Sequence, residues 1–225
     1  GLVEPSGIVE VNLEPEVEEY PVTMMLSRDG YLKKMTDRVL RKATTLKYKD
    51  GDEPFIEFDS SNTHDLLVFT NQCQVYKCKV AAFEDTKSAQ LGSYLPTDLE
   101  MDADETVTWV IDPEDYKADV LFVFENGRVA RVALSGYATK TNRKRLKNAI
   151  YGGSKLMYAT VLKEERDLAL VSSDYRMVNF NTSLLKTKTT NSTQGVQALT
   201  IKGSRTVTMV GTAEEFIGGK AQVEK

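Results

Sequence analysis

The feature that most constrains this chain is a hairpin that recurs along it. Stretches rich in Val, Leu, Phe and Thr, each interrupted by a short polar turn, occupy residues 22–35, 66–80, 120–134 and 168–184. The turns read Arg28-Asp29-Gly30, Asn71-Gln72-Cys73, Asn126-Gly127 and Ser173-Asp174-Tyr175. Glycine or its counterpart therefore falls at 30, 73, 127 and 175, a pitch of 43, 54 and 48 residues. Tight hairpins need a residue of positive φ, which glycine supplies without a Cβ clash. Cys73 and Tyr175 depart from that rule, which predicts that their turns differ in shape. Two positions beyond each turn residue stand Leu32, Val75, Val129 and Met177, and four beyond stand Lys34, Lys77, Arg131 and then Asn179. An apolar and a basic position thus repeat together.

One hairpin cannot bury its own apolar face, so units at this spacing must stack on each other. Further strand-like segments lie between the hairpins, at 49–57, 95–111, 156–162 and 196–210. The pattern predicts an all-β, propeller-like array of about four to five blades. Helix is expected only as a turn or two at 37–42 and 143–149. Residues 1–20 read as an acidic linker, 21–217 as the repeat domain and 218–225 as a fraying tail.

Composition removes several function classes. Two cysteines, Cys73 and Cys78, sit five apart, which on one strand aims them at opposite faces and argues against a disulfide. With a single histidine, His64, neither a zinc site nor histidine-activated nucleophilic chemistry has enough parts. His64 reads as a turn residue, and Trp109, Tyr31, Tyr76, Tyr137 and Tyr158 as blade core. The acidic run Asp98, Glu100, Asp102, Asp104, Glu105, Asp112, Glu114 and Asp115 lacks the spacing of a calcium loop and reads as a solvated loop that repels polyanions. No run reaches the roughly 18–20 apolar residues of a membrane span. The start lacks the basic-then-apolar pattern of a secretory signal, so a cytoplasmic protein is expected.

The net charge is −4, but Glu4, Glu10, Glu14, Glu16, Glu18 and Glu19 account for more than all of it. Residues 98–119 are acidic and 120–190 basic, with Thr-Lys-Thr-Asn-Arg-Lys-Arg-Leu-Lys at 139–147.

Three phrases carry a family resemblance: Thr-Met-Met-Leu-Ser-Arg-Asp-Gly-Tyr-Leu-Lys-Lys at 23–34, His-Asp-Leu-Leu-Val-Phe-Thr-Asn-Gln-Cys-Gln-Val-Tyr-Lys-Cys-Lys at 64–79, and Thr-Gln-Gly-Val-Gln-Ala-Leu-Thr-Ile-Lys at 193–202. In order and content they resemble successive blades of the carboxy-terminal domain of bacterial type IIA DNA topoisomerase A subunits. The resemblance implies a β-pinwheel whose blades exchange strands and whose basic rim binds and bends duplex DNA without reading its sequence. It also implies that ATP, Mg and strand cleavage belong to other domains, so that no cofactor is expected in this segment. The implied partners are duplex DNA, the B subunit, and the rest of the A subunit. The segment is expected near the nucleoid and, taken alone, as a monomer. The gyrase branch carries a Gln-Arg-Arg-Gly-Gly-Lys-Gly-type box where this chain has Thr-Asp-Arg-Val-Leu-Arg-Lys-Ala at 36–43, which points towards the topoisomerase IV branch or a divergent relative.

DNA wrapping draws on cations along a curved surface, because neutralised phosphates release counterions. The candidates are Lys33, Lys34, Arg38, Arg41 and Lys42 in the first unit, Lys77 and Lys79 in the second, and Arg128, Arg131, Arg143, Lys144, Arg145, Lys147 and Lys155 in the third. Two other readings stay open: a propeller-like protein-interaction scaffold that does not bind DNA, and a propeller hydrolase, for which no converging carboxylates or metal funnel are legible.

Overall fold

A computed structural model describes residues 7, 9–11, 15–139 and 144–217. The expected tail, and much of the expected linker, lie outside the described residues. In chain order, the strands of the first unit are β1 (Pro21–Ser27), β2 (Tyr31–Met35) and β3 (Pro54–Ser61). A short helix α1 (Asp37–Lys42) intervenes, its start capped by the Thr36 hydroxyl accepting from the Val39 amide. The second unit supplies β4 (Asp65–Thr70), β5 (Val75–Lys79), β6 (Ser93–Tyr94), the helical turn α2 (Leu95–Asp98) and β7 (Val107–Ile111). The third supplies β8 (Asp119–Phe124), β9 (Arg128–Ala133), β10 (Arg145–Leu146) and β11 (Leu156–Leu162). The fourth supplies β12 (Asp167–Ser172), β13 (Met177–Asn181), β14 (Val196–Gln197) and β15 (Val207–Gly211).

These strands form four small antiparallel sheets, ordered β3-β1-β2-β6, β10-β5-β4-β7, β11-β8-β9-β14 and β13-β12-β15. Each hairpin heads its own sheet, but the two-residue strand that follows each of the last three returns to the sheet before. β6 pairs with β2, β10 with β5 and β14 with β9. The result is an all-β, four-bladed, propeller-like array whose blades exchange strands, as expected.

Alternation along each central strand explains how the blades stack. In β4, Leu66 and Val68 face the first blade, whereas Leu67 and Phe69 face the third. In β8, Phe122 and Phe124 face the second blade, while Leu121 and Val123 face the fourth. Both faces are buried, so the strands read as unbroken apolar runs rather than as alternating ones. Aromatic edges lock the joints, with ring centroids of Phe69 and Phe122 5.2 Å apart and those of Trp109 and Tyr158 5.5 Å apart. Each of the three core clusters joins consecutive blades, and among the described residues none joins the fourth to the first.

The four turns share one geometry, contrary to the expectation that two would differ. Gly30, Cys73, Gly127 and Tyr175 have φ of 97°, 59°, 83° and 63°, and each amide donates to the carbonyl three residues back. The packed strands on either side impose the left-handed residue even where the side chain disfavours it. A register shift at the end of the central strand recurs in all four blades, at Leu26/Ser27, Phe69/Thr70 and Val171/Ser172 and, in the third, opposite Leu156/Tyr158. The helical turn at 37–42 forms, whereas 145–146, expected to be helical, is the exchange strand β10. Pairing with β5 overrides the local composition there. Both cysteines are free.

The exchange strands β6 and β10 are not legible as strands, because two residues carry no period, and β14 is only the first two residues of the strand-like segment 196–210. Their one local signature is Gly92 before β6 and Gly195 before β14, both at positive φ. A Cβ there would collide with the carbonyl oxygens of Leu32 and Val129 on the receiving strands, so glycine allows the close approach.

Candidate nucleic-acid interface

Of the fourteen candidate cations, twelve fall into two groups in the structure, with Arg145 between them. The basic position four beyond each of the first three turns is internal, whereas its counterpart in the fourth, Asn179, is exposed. Lys34 is 2% exposed, and its ammonium donates to Asn62 Oδ1 and to the Phe83 carbonyl, with Asp85 3.5 Å away. Lys77 lies 3.8 Å from Asp65 and over the ring of Tyr116. Arg131 bonds Asp119 at 2.7 Å, Glu165 at 2.8 Å and the Thr182 carbonyl at 3.0 Å. Burial lowers the Arg131 pKa, but its bonds to Asp119 and Glu165 outweigh that and leave it raised.

Lys33, 1% exposed, donates to the carbonyls of Gln90 and Leu91. Burial pulls its pKa below the ordinary lysine value, partly offset by Asp52. Lys33 and Lys34 are thus corrected from surface cations to internal anchors that tie the returning segment to blade one. The half-buried Arg128 likewise reaches the Gly195 carbonyl of the exchange segment, 3.5 Å away.

The second group is exposed: Arg38, Arg41, Lys42, Lys79, Lys144, Lys147 and Lys155. None of these has an ion-pair partner among the described residues. Helix α1 buries none of its residues and presents Arg38, Arg41 and Lys42 to solvent. Arg38 and Lys42 share a shallow depression with Lys87 and Ser88 of the segment returning to blade one. Arg143 lies outside the described residues.

Arg145 is intermediate between the groups. Its guanidinium lies 5.1 Å from the Tyr76 ring centroid, 3.5 Å from Asp102 and 3.1 Å from the Glu100 carbonyl.

Returning segments place Lys144 in a recurring position together with two lysines that the sequence pattern does not single out. The Thr86 amide donates to the Lys34 carbonyl, the Lys77 amide to the Lys144 carbonyl, and the Lys188 amide to the Arg131 carbonyl. The same receiving position in blades one, two and three is therefore met by residues 86, 144 and 188. At or beside each meeting point stands an exposed lysine: Lys87, Lys144 and Lys188. They fall 14, 17 and 13 residues after the preceding turn residue, a spacing readable from sequence only once strand exchange is known.

The acidic run is not wholly solvated, which corrects the loop reading. Glu105 is 3% exposed and accepts from the Thr70 hydroxyl, from Gln74 Nε2 at 2.9 Å, from the Tyr76 hydroxyl at 2.5 Å and from the Asp102 amide at 3.1 Å. Burial first, then this bond, raises the Tyr76 pKa above the ordinary phenol value. Asp112 is also buried and accepts from Ser60 Oγ at 2.7 Å, with His64 Nδ1 at the same distance from the same oxygen. His64 is a turn residue as read, with Asp112 as an unforeseen partner. Ser60 bonds the carboxylate and not the imidazole, so the trio lacks the nucleophile-to-base contact of a catalytic triad. Among the described residues no group of three or more His, Cys, Asp or Glu is placed to hold a metal. Among them, too, no helix is long and apolar enough to cross a membrane.

No family model matches the chain. It is 28% identical over 142 residues to the A subunit of DNA topoisomerase 4 from Bacillus subtilis, covering 61% of this chain and 18% of that protein. To the Staphylococcus epidermidis protein of the same name it is 23% identical over 207 residues, covering 89% and 26%. The chain thus spans about a quarter or less of the length of these relatives. Among solved structures, the C-terminal domain of DNA topoisomerase IV superposes with a TM-score of 0.71 at 21% identity, over 88% of this chain and 64% of that one. The E. coli ParC C-terminal domain gives 0.64 at 17% identity, over 84% and 78%, and that of DNA gyrase A gives 0.59 at 18%, over 87% and 66%.

Proposed function

We propose that this chain, a homologue of DNA topoisomerase 4 A subunits along about nine-tenths of its length and folded like their C-terminal domains, is the non-catalytic part of such an enzyme that binds and bends duplex DNA. The observation that carries the reading is the set of exposed cations, without ion-pair partners among the described residues, that gathers where strands are exchanged. Lys87, Lys144 and Lys188 form it, with Arg38, Arg41 and Lys42 on helix α1 and Lys147 just after β10. Cations spread singly over separate blades are placed to meet successive backbone phosphates, contacts that carry no sequence information, so binding is indifferent to sequence. Bending a site by 40–90° costs about 1–6 kcal/mol, which several phosphate contacts acting together can offset.

In the whole enzyme the domain presents bent DNA to the strand-passage core. ATP and Mg act in other domains, and the partners are the B subunit together with the rest of the A subunit. This segment itself needs no cofactor, is a monomer, and works in the cytoplasm at the nucleoid.

Two unrelated duplexes of equal length, each labelled at both ends, test this by fluorescence anisotropy and end-to-end energy transfer. Affinities equal within about threefold and a shortened end-to-end distance are expected. The scaffold reading draws on the exposed apolar side chains of blade four, Tyr175 at 82%, Leu184 at 78% and Met177 at 41%. It requires no anisotropy change even at low salt.

A further inference from the structure

Among the described residues, Arg145 is the one cation of the exchange edges already engaged by carboxylate and carbonyl groups of the acidic run. It stands on β10, between the exposed Lys144 and Lys147, with the Tyr76 ring beneath it. Against it lies the turn after α2, where Glu100 adopts φ of 51° and gives its carbonyl to Arg145 Nη2 at 3.1 Å. Asp102 Oδ1 closes the contact at 3.5 Å from Arg145 Nη1, while Asp102 Oδ2 accepts from Gln74 Nε2 at 3.1 Å. The two side chains are 31% and 52% exposed, so water and a competing anion can reach the pair. Exposed Glu100 and Asp104 add negative charge to the same turn.

We infer that this acidic turn is an autoinhibitory clamp on the second blade's exchange edge: Asp102 holds Arg145 as an internal substitute for a DNA phosphate. The inference rests on the DNA-binding reading above. DNA at Lys144 and Lys147 competes with Asp102 for Arg145, and part of the attraction of that edge is spent inside the protein. Neutralising Asp102 frees Arg145 for one more phosphate contact. An exposed pair of this kind contributes little, so affinity should rise by up to about fivefold. One further released counterion steepens the slope of log K against log salt by about 0.9, so most of that gain should vanish between 50 and 200 mM salt.

The test compares the whole chain with Asp102→Asn, Asp104→Asn, Arg145→Gln and the Asp102→Asn/Arg145→Gln double variant, on one duplex at several salt concentrations. Asparagine keeps an acceptor for Gln74, and a thermal melt checks that each variant folds. The clamp predicts tighter binding and a steeper slope for Asp102→Asn, a smaller gain for Asp104→Asn, and no gain for the double variant over Arg145→Gln. Equal gains from Asp102→Asn and Asp104→Asn, or a gain that survives loss of Arg145, would overturn the clamp and leave only general charge. Unchanged affinity with normal DNA binding would also overturn it, and absence of DNA binding by the parent chain would instead sink the reading on which it rests.

Discussion

Reversing Arg38, Lys42, Lys87, Lys144, Lys147 and Lys188 to glutamate should remove measurable binding to duplex DNA at about 100 mM salt. Each side chain is exposed and has no ion pair among the described residues, so none contributes to a core or to a salt bridge that the change would break. Six lost phosphate contacts at a slope of about 0.9 each account for a fall of 10³-fold or more, before counting the repulsion from the new carboxylates. Stability should stay close to that of the parent, since surface changes away from caps and cores move it by about 0.5 kcal/mol or less apiece. A matched variant with Lys34→Glu alone should behave in the opposite way. That ammonium is buried against Asn62 and Phe83, so the domain should unfold rather than merely release DNA. Retardation measured beside a thermal melt separates the two outcomes.

The second large effect concerns stability. Glu105→Ala should cost about 3–5 kcal/mol in a urea titration, because it strips a buried cluster of the acceptor shared by Thr70, Gln74, Tyr76 and the Asp102 amide. Leaving buried donors unpaired costs about 1–3 kcal/mol for each group, and relaxation recovers only part of that. Tyr76 lies under Arg145 and pairs with it across β5 and β10, so the damage should spread to the exchange strand of blade two. Faster amide exchange at Arg145 and Leu146 than at β14 residues would report this. A loss below about 1 kcal/mol would mean that the cluster is dispensable.

How much of this was legible in the sequence follows from what each element needs. Hairpins were legible because their central strands are buried on both faces and leave unbroken apolar runs such as Leu66 to Phe69. Blade number followed from the turns, even where Cys73 and Tyr175 replace glycine, since the flanking strands impose the same backbone. The exchange strands β6 and β10 were not legible, because their partners lie in the preceding unit and their length carries no period. Strand exchange also accounts for the candidate cations that prove to be internal. A basic residue recurring four beyond the turn looks like a rim position, yet in blades one to three it lies against the returning segment and has become an anchor: Lys34, Lys77 and Arg131. Exposed cations stand on helix α1 and on the returning segments themselves, where Lys87 and Lys188 follow no period in the sequence. Glu105 and Asp112 were hidden for a related reason, since a carboxylate's burial depends on donors such as Tyr76 and Ser60 that are distant in sequence.

The salt dependence of duplex binding tests the central claim most directly, because it counts phosphates met by protein cations without assuming where they are. The account predicts a slope of log K against log salt of about −4 or steeper for the parent chain, and one that flattens by about 0.9 for each lysine removed from positions 87, 144 and 188. A slope near zero, or one indifferent to those three lysines, would contradict it.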